Sequence, residues 1–210
     1  MSGRLSFGLW GLTAALSAGL AVFSYRYLPA IGPMPAAILQ NLFARPWLDV
    51  HVAGAATALL VGPLQLLPRL RRNRALHRIL GRVYVMSCLV GGAAGFVVAF
   101  GSTAGPIATV GFASLAVTWI TVNILGWRAA LARRFDDHRA WMIRSFAMTF
   151  GAVTLRLYIV LLPMAGMSFL DAYRASSFLA WIPNLILAEF YLRGAFTAPL
   201  RLSRPGNAST

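Results

Sequence analysis

Three histidines are the residues of this chain best suited to hold a metal or a cofactor, because imidazole is a common metal ligand. His51 opens one apolar run, whereas His77 and His138 each stand just before another and are each followed by an arginine. The roughly 20 residues between His51 and the next loop correspond to about 25–30 Å along a helix. His51 is therefore predicted to lie near the opposite, outer face, where it cannot share a ligand with the other two.

His77 and His138 are predicted to begin helices that run in the same direction from the same membrane surface. Two imidazoles that face each other across a helix bundle are the arrangement that holds a b-type haem. The sequence thus predicts haem b with its iron ligated by both histidines. Four nearby arginines would pair with the propionates: Arg78, Arg82, Arg139 and Arg144.

A second interpretation of the same residues needs no cofactor. Amphipathic rings such as imidazole are favoured at bilayer interfaces, and anionic phospholipid head groups neutralise arginines there. Both histidines also lie nearer to the helix starts than haem ligands usually do. On this interpretation the histidines and the surrounding arginines contact membrane lipids or a membrane protein partner.

Arg156 and Glu189 are the ionisable residues predicted to lie deepest in the membrane. A charge within a span costs about 2.5–3.5 kcal/mol or more, so each should face the bundle interior, a cavity or a partner. We expect the two to form a structural ion pair, because Glu189 is the only carboxylate in the interior of a predicted span, away from its ends. The alternatives are a polar transport pathway built on this pair, or an Arg156 side chain that reaches His51 and Asp49 at the outer face.

The composition indicates what kind of scaffold positions these residues. Of the 210 residues, 59% are hydrophobic and only 11% are charged, whereas a soluble domain has about 25% charged residues. Such a chain cannot cover a water-exposed globule, and it is predicted to be an all-α integral membrane protein. Its 19 basic residues outnumber five acids, but they flank apolar runs, where the positive-inside rule accounts for them without a nucleic-acid partner.

Six apolar stretches are long enough to cross a hydrocarbon core, which takes about 20 helical residues. They are Leu5–Leu28, Leu48–Leu67, Ile79–Phe100, Ile107–Trp127, Trp141–Met164 and Ser177–Phe196. Arginines concentrate in the second and fourth connections and in the tail after the last stretch. The six stretches predict a single six-helix bundle over residues 1–210. The positive-inside rule predicts that its arginine-rich side and both termini lie in the cytoplasm.

Three motifs occur in order between the second and fifth stretches. They are His51–Gly54 with Gly62–Gln65, then Leu76–Tyr84 (LHRILGRVY), then Asp137–Ser145 (DHRAWMIRS). Over about residues 47–165 the chain resembles a bacterial family of predicted membrane proteins, domain of unknown function 2306. The resemblance implies the fold and a location in the bacterial inner membrane, and it brings no activity to any residue.

The sequence contains no nucleophile motif, glycine-rich phosphate loop or paired-carboxylate arrangement, which disfavours hydrolase and kinase chemistry. Three functions remain as hypotheses. The first is a membrane redox protein that carries one b-type haem for electron transfer. The second is a non-enzymatic accessory, scaffold or lipid-binding subunit of a membrane complex. The third is a small transporter that uses Arg156 and Glu189.

Overall fold

The computed structural model of the protein describes residues 2–33 and 40–196, with side chains over 7–33 and 40–194. These residues form helices and no strand, which confirms the predicted all-α fold. The helices are Ser2–Tyr25, Trp47–Gln65, Pro68–Arg72, Arg74–Phe100, Pro106–Leu131, Phe135–Thr149, Gly151–Met164, Phe169–Leu179 and Ile182–Phe196. The tail after residue 196, whose arginines entered the argument about orientation, lies outside the described residues.

Six segments are long and apolar enough to cross a membrane, as the sequence predicts. In order, the first to sixth spans are Phe7–Tyr25, Trp47–Gln65, Arg74–Phe100, Pro106–Leu131, Phe135–Met164 and Phe169–Gly194. Large apolar side chains cover their outside: Val22, Leu187 and Phe190 are 66%, 66% and 67% exposed. An apolar surface of this kind is costly in water and is matched by lipid chains.

The third, fifth and sixth spans begin several residues before their apolar stretches, at Arg74, Phe135 and Phe169. Helical hydrogen bonding continues through polar residues wherever the end groups find partners, so hydropathy alone underestimates helix length. One consequence concerns the predicted haem ligands. His77 and His138 each occupy the fourth position of a helix rather than the loop before it.

Side-chain caps account for two of these early starts. The Asn73 side chain accepts a hydrogen bond from the Leu76 N–H at 3.1 Å, and the Ser168 hydroxyl accepts one from the Asp171 N–H at 3.1 Å. Each cap satisfies a backbone donor that has no partner within its helix. The polar residues that precede an apolar stretch therefore belong to the helix and shift every depth counted from its end.

The second and third spans cross at glycines. A Cβ atom added to Gly54 would lie 2.7 Å from the Cα of Gly91 and 2.7 Å from the carbonyl oxygen of Ser87. Small residues on one stripe let two backbones approach closely, which drives helix association in lipid. One turn further along the third span, Gly95 leaves room for the ring of His51. Close packing therefore accounts for Gly91 and Gly95, which form a glycine stripe on the third span.

The fifth and sixth spans are each interrupted near the middle, at Phe150 and around Ala180. Pro183 has no N–H, so the Leu179 carbonyl, four residues before it, loses its helical donor. The two interruptions face each other, because the Thr154 hydroxyl of the fifth span donates to the Ala180 carbonyl of the sixth. The Asn184 amide donates to the same carbonyl, so side chains supply donors that lipid cannot.

We predict that Gly54→Ala destabilises the protein by roughly 1–3 kcal/mol, because the new methyl group meets backbone atoms that cannot rotate away. Thermal unfolding of the detergent-solubilised protein measures the loss. Gly19→Ala is the matched control, since no atom lies within 4 Å of a Cβ added there. Equal melting temperatures for the two variants would contradict the proposed glycine crossing.

Candidate functional site

A cavity of about 250 Å³ lies among the six spans, and each of them contributes to its wall. It extends from Asn41 and Ser102, in the first and third connections, to Trp119 and Thr149 in the middle of the fourth and fifth spans. A cavity of about 150 Å³ holds benzene, so this one accommodates a molecule of roughly ten non-hydrogen atoms. Most of the wall consists of alanine, leucine, glycine and aromatic residues.

Arg156 brings a permanent positive charge into this apolar wall. Its Nη1 donates to the Ala152 carbonyl, one turn earlier in the same helix, at 3.0 Å. The guanidinium has five N–H donors, and within the described residues no other hydrogen bond or ion pair of this side chain is found. Tyr27 and Tyr173 line the same part of the cavity. Most of the Arg156 donors are therefore available to a ligand or to water.

Glu189 pairs with Arg144, so the expected Arg156–Glu189 pair is wrong. The contact is bidentate: Arg144 Nε donates to Oε1, and Nη2 donates to Oε2 at 3.0 Å. Depth explains the choice of partner, because Arg144 lies 20 residues before Met164 and Glu189 lies 20 residues after Phe169 in the antiparallel neighbour. Arg156 lies only 8 residues before Met164, which is about 18 Å from that level along the helix.

The other acids of the chain do not compensate the charge of Arg156 either. Three of the five acids pair with nearby arginines: Asp49 with Arg45, Asp137 with Arg134, and Asp171 with Arg174. Asp136 lies 20 residues before Arg156 in the fifth span, about 30 Å away along the helix. The residues outside the described ranges contain no Asp or Glu. A counter-ion for Arg156 must therefore come from outside the side chains of this chain.

His51 lines the same cavity and is held by the third span. Its Nδ1 lies 2.8 Å from the Gly91 carbonyl oxygen. A carbonyl can only accept, so Nδ1 carries a hydrogen and donates it. His51 and Arg156 line the same cavity, whereas Asp49, the other residue named with His51, pairs with Arg45.

The floor of the cavity is a buried hydrogen-bond network. Trp119 Nε1 donates to the Thr149 hydroxyl at 3.0 Å, and the Tyr84 hydroxyl lies 2.8 Å from Ser145 and 2.9 Å from Thr149. Ser145 donates to Asn123 Oδ1 at 3.0 Å. Buried polar groups need such partners in an apolar interior. The sequence analysis missed this network, although the four-residue spacings 119–123 and 145–149 offered a signal for one polar face.

His77 and His138 both lie toward the arginine-rich end of the bundle, and neither lines the cavity. His138 Nδ1 lies 2.9 Å from the Gly126 carbonyl oxygen and donates to it. The His77 Nδ1 is buried and finds no partner in the described part of the chain. The structure thus places the two predicted haem ligands at the same end of the bundle and away from His51, which lines the cavity.

The four arginines predicted to hold propionates do not form one group. Three are exposed on the surface: Arg78, Arg82 and Arg139. Arg144 is bound to Glu189, and its guanidinium carbon lies 4.7 Å from the centre of the Trp141 ring. Its Nε and Nη2 donors face the Glu189 carboxylate and so are not available to a propionate. Over residues 7–33 and 40–194, no three His, Cys, Asp or Glu side chains gather as a metal site.

Residues 48–192 match the protein family described as predicted membrane protein (DUF2306). The chain belongs to this family. No curated protein and no solved structure matches it. The DUF2306 region comprises the second to sixth spans, so it includes the sixth span, which the sequence motifs had left outside. Most of the cavity wall belongs to this region, and Ser24, Tyr27 and Asn41 are the lining residues that precede it.

We predict that Glu189→Leu destabilises this DUF2306 protein by about 1–3 kcal/mol, because Arg144 loses its bidentate acceptor. Changing Arg144 to Met as well should recover much of the loss, since an apolar pair can replace a partly buried ion pair. Thermal unfolding in detergent measures both effects. Combining Glu189→Leu with Arg156→Met is the control and should be additive. Recovery in the Arg156 combination alone would disprove the observed pairing.

Proposed function

We propose that the protein is a membrane-embedded binding protein for a small lipophilic molecule, which occupies the central cavity. The cavity itself carries this proposal, because all six spans build its apolar wall and close-packed helices otherwise leave few voids of this size. A ligand of roughly ten non-hydrogen atoms fits the volume. This function is non-enzymatic and combines two hypotheses from the sequence, a lipid-binding bundle and a small transporter.

The helix interruptions support this proposal. Gly151 and Ala180, at the breaks of the fifth and sixth spans, both line the cavity. Phe150 and Ala180 keep helical backbone angles, so the breaks are local disturbances of helical hydrogen bonding and not unwound segments. Disturbed helices that face a cavity rather than lipid also occur at binding sites in transporters. Pro183 lies three residues beyond Ala180, next to the break.

We predict that a para-bromophenyl probe quenches the fluorescence of Trp119, because this ring lines the cavity and bromine quenches at short range. Ala152→Phe should abolish the quenching by filling the cavity, whereas Ala15→Phe, on an exposed face of the first span, should not. Trp119→Phe separates this signal from that of the other tryptophans. Equal quenching in all variants would place the probe in the lipid and disprove the proposal.

A second candidate function is electron transfer by haem b bound between His77 and His138. One observation favours it: His138 is fixed through Nδ1 by a carbonyl, an arrangement that leaves Nε2 to a metal, and the buried His77 Nδ1 beside it has no partner among the described residues. The purified protein would then show a Soret band after expression with added haem. His77→Ala and His138→Ala should each remove the band, while His51→Ala should leave it. A colourless wild type would exclude this candidate.

We also propose that the arginine-rich end faces the cytoplasm of a bacterial inner membrane, where its arginines pair with anionic head groups. The support is the number of arginines in the second and fourth connections. A reporter that is active only in the cytoplasm should work when fused after Arg72 or after Arg134. The same reporter fused after Gly105 should be silent. Activity at Gly105 alone would invert the orientation.

A further inference from the structure

We infer that the ligand of the central cavity is an organic anion, whose acidic head group pairs with Arg156. This inference rests on the proposed function and specifies the class of ligand. The head group would lie beside Arg156, and an apolar body would extend toward Trp119 at the floor. The same cavity without an anion would be a site for neutral lipophilic molecules, which is the alternative to be tested.

Arg156 carries a positive charge within a membrane span. A guanidinium keeps its proton in a protein, and a charge inside the hydrocarbon region is costly unless a partner compensates it. Arg156 lies 8 residues from the end of its span at Met164, which is about 12 Å along the helix. Each acid of the chain is either paired elsewhere or far away. The side chain of Arg156 is exposed and lines the cavity, so an anion that enters the cavity can pair with it and compensate its charge.

The free N–H donors of Arg156 suit an acidic head group. Only Nη1 of Arg156 is engaged, by the carbonyl of Ala152 in its own helix. The remaining N–H groups form the planar fork that binds a carboxylate or a phosphate through two parallel hydrogen bonds. Tyr27 and Tyr173 line the cavity nearby and can donate their hydroxyl hydrogens to the same head group.

The rest of the cavity wall is largely apolar. Beyond Arg156, apolar side chains such as Leu59, Phe112 and Leu115 form the wall as far as Trp119. Such a wall accepts a hydrocarbon chain or an aromatic ring and offers no second charge. A single charged group at one side and an apolar remainder describe an amphipathic anion, such as a medium-chain or arylalkyl carboxylate.

Two probes of matched size test the inference in phosphatidylcholine nanodiscs. They are para-bromophenylbutyrate, an anion, and para-bromophenylbutanol, which is neutral, and quenching of Trp119 reports the binding of each. We expect the butyrate to bind at least about tenfold more tightly, as a charge-assisted bidentate contact allows. Arg156→Gln should remove this preference and Arg156→Lys should keep most of it. Arg45→Gln, at the same end of the bundle but paired with Asp49, is the control and should change nothing.

A second measurement keeps the test valid if Arg156→Gln does not fold. In the wild type, acidification that protonates the butyrate should remove its preference over the butanol. Equal affinities at neutral pH, or a preference that survives in Arg156→Gln or in acid, would overturn the anion and leave the proposed binding function intact. The absence of cavity-dependent quenching by both probes would overturn the two together.

The anion has two natural sources with the same chemistry, a free organic acid and the head group of an anionic phospholipid. Adding phosphatidylglycerol to the nanodiscs separates them. Weaker butyrate binding to the wild type in discs with phosphatidylglycerol than in discs of phosphatidylcholine alone identifies the lipid head group as a competitor at Arg156. Unchanged binding identifies a free acid. Both results retain the anion and name its source.

Discussion

Hydrocarbon offers no partner to a charge or to an unpaired backbone group, and this constraint shapes the inside of the bundle. The breaks of the fifth and sixth spans are closed by Thr154 and Asn184, whose side chains donate to the Ala180 carbonyl. The hydroxyl and amide groups below the cavity satisfy one another. Arg144 and Glu189 neutralise each other at one level of the bundle. Arg156 is the arginine in the spans that departs from this pattern, because its charge faces a cavity and the chain supplies no acid to meet it.

Close packing and the candidate site depend on the same contact. Gly54 and Gly91 bring the second and third spans together. This close approach places the Gly91 carbonyl within hydrogen-bond distance of His51. Gly95 has no side chain to displace the imidazole ring, which therefore reaches the cavity. The glycine stripe thus positions a polar residue as well as two helices. A bulkier side chain at Gly95 would affect the site before it affected the rest of the bundle.

Depth along the spans separates two regions that could otherwise be taken for one site. His51 and Arg156 belong to the cavity, while His77 and His138 lie toward the arginine-rich end. Between them lies the buried network that contains Tyr84. Of its residues, only Trp119 and Thr149 line the cavity. The cavity and the histidine pair are therefore two separate candidate sites. Each can be tested by variants that leave the other untouched.

The sequence alone determined the membrane location, the six spans and the family, because each depends on composition and on local runs of residues. It also singled out Arg156, since a charge in an apolar run is costly wherever the run lies. The partner of Glu189 depended on relative depth, and the depth count was wrong because the sixth span begins at Phe169, where a Ser168 cap extends the helix beyond its apolar part. The cavity and the facing breaks depended on how six helices rotate and pack against one another. Those contacts join residues far apart in the chain, so only the tertiary structure decides them.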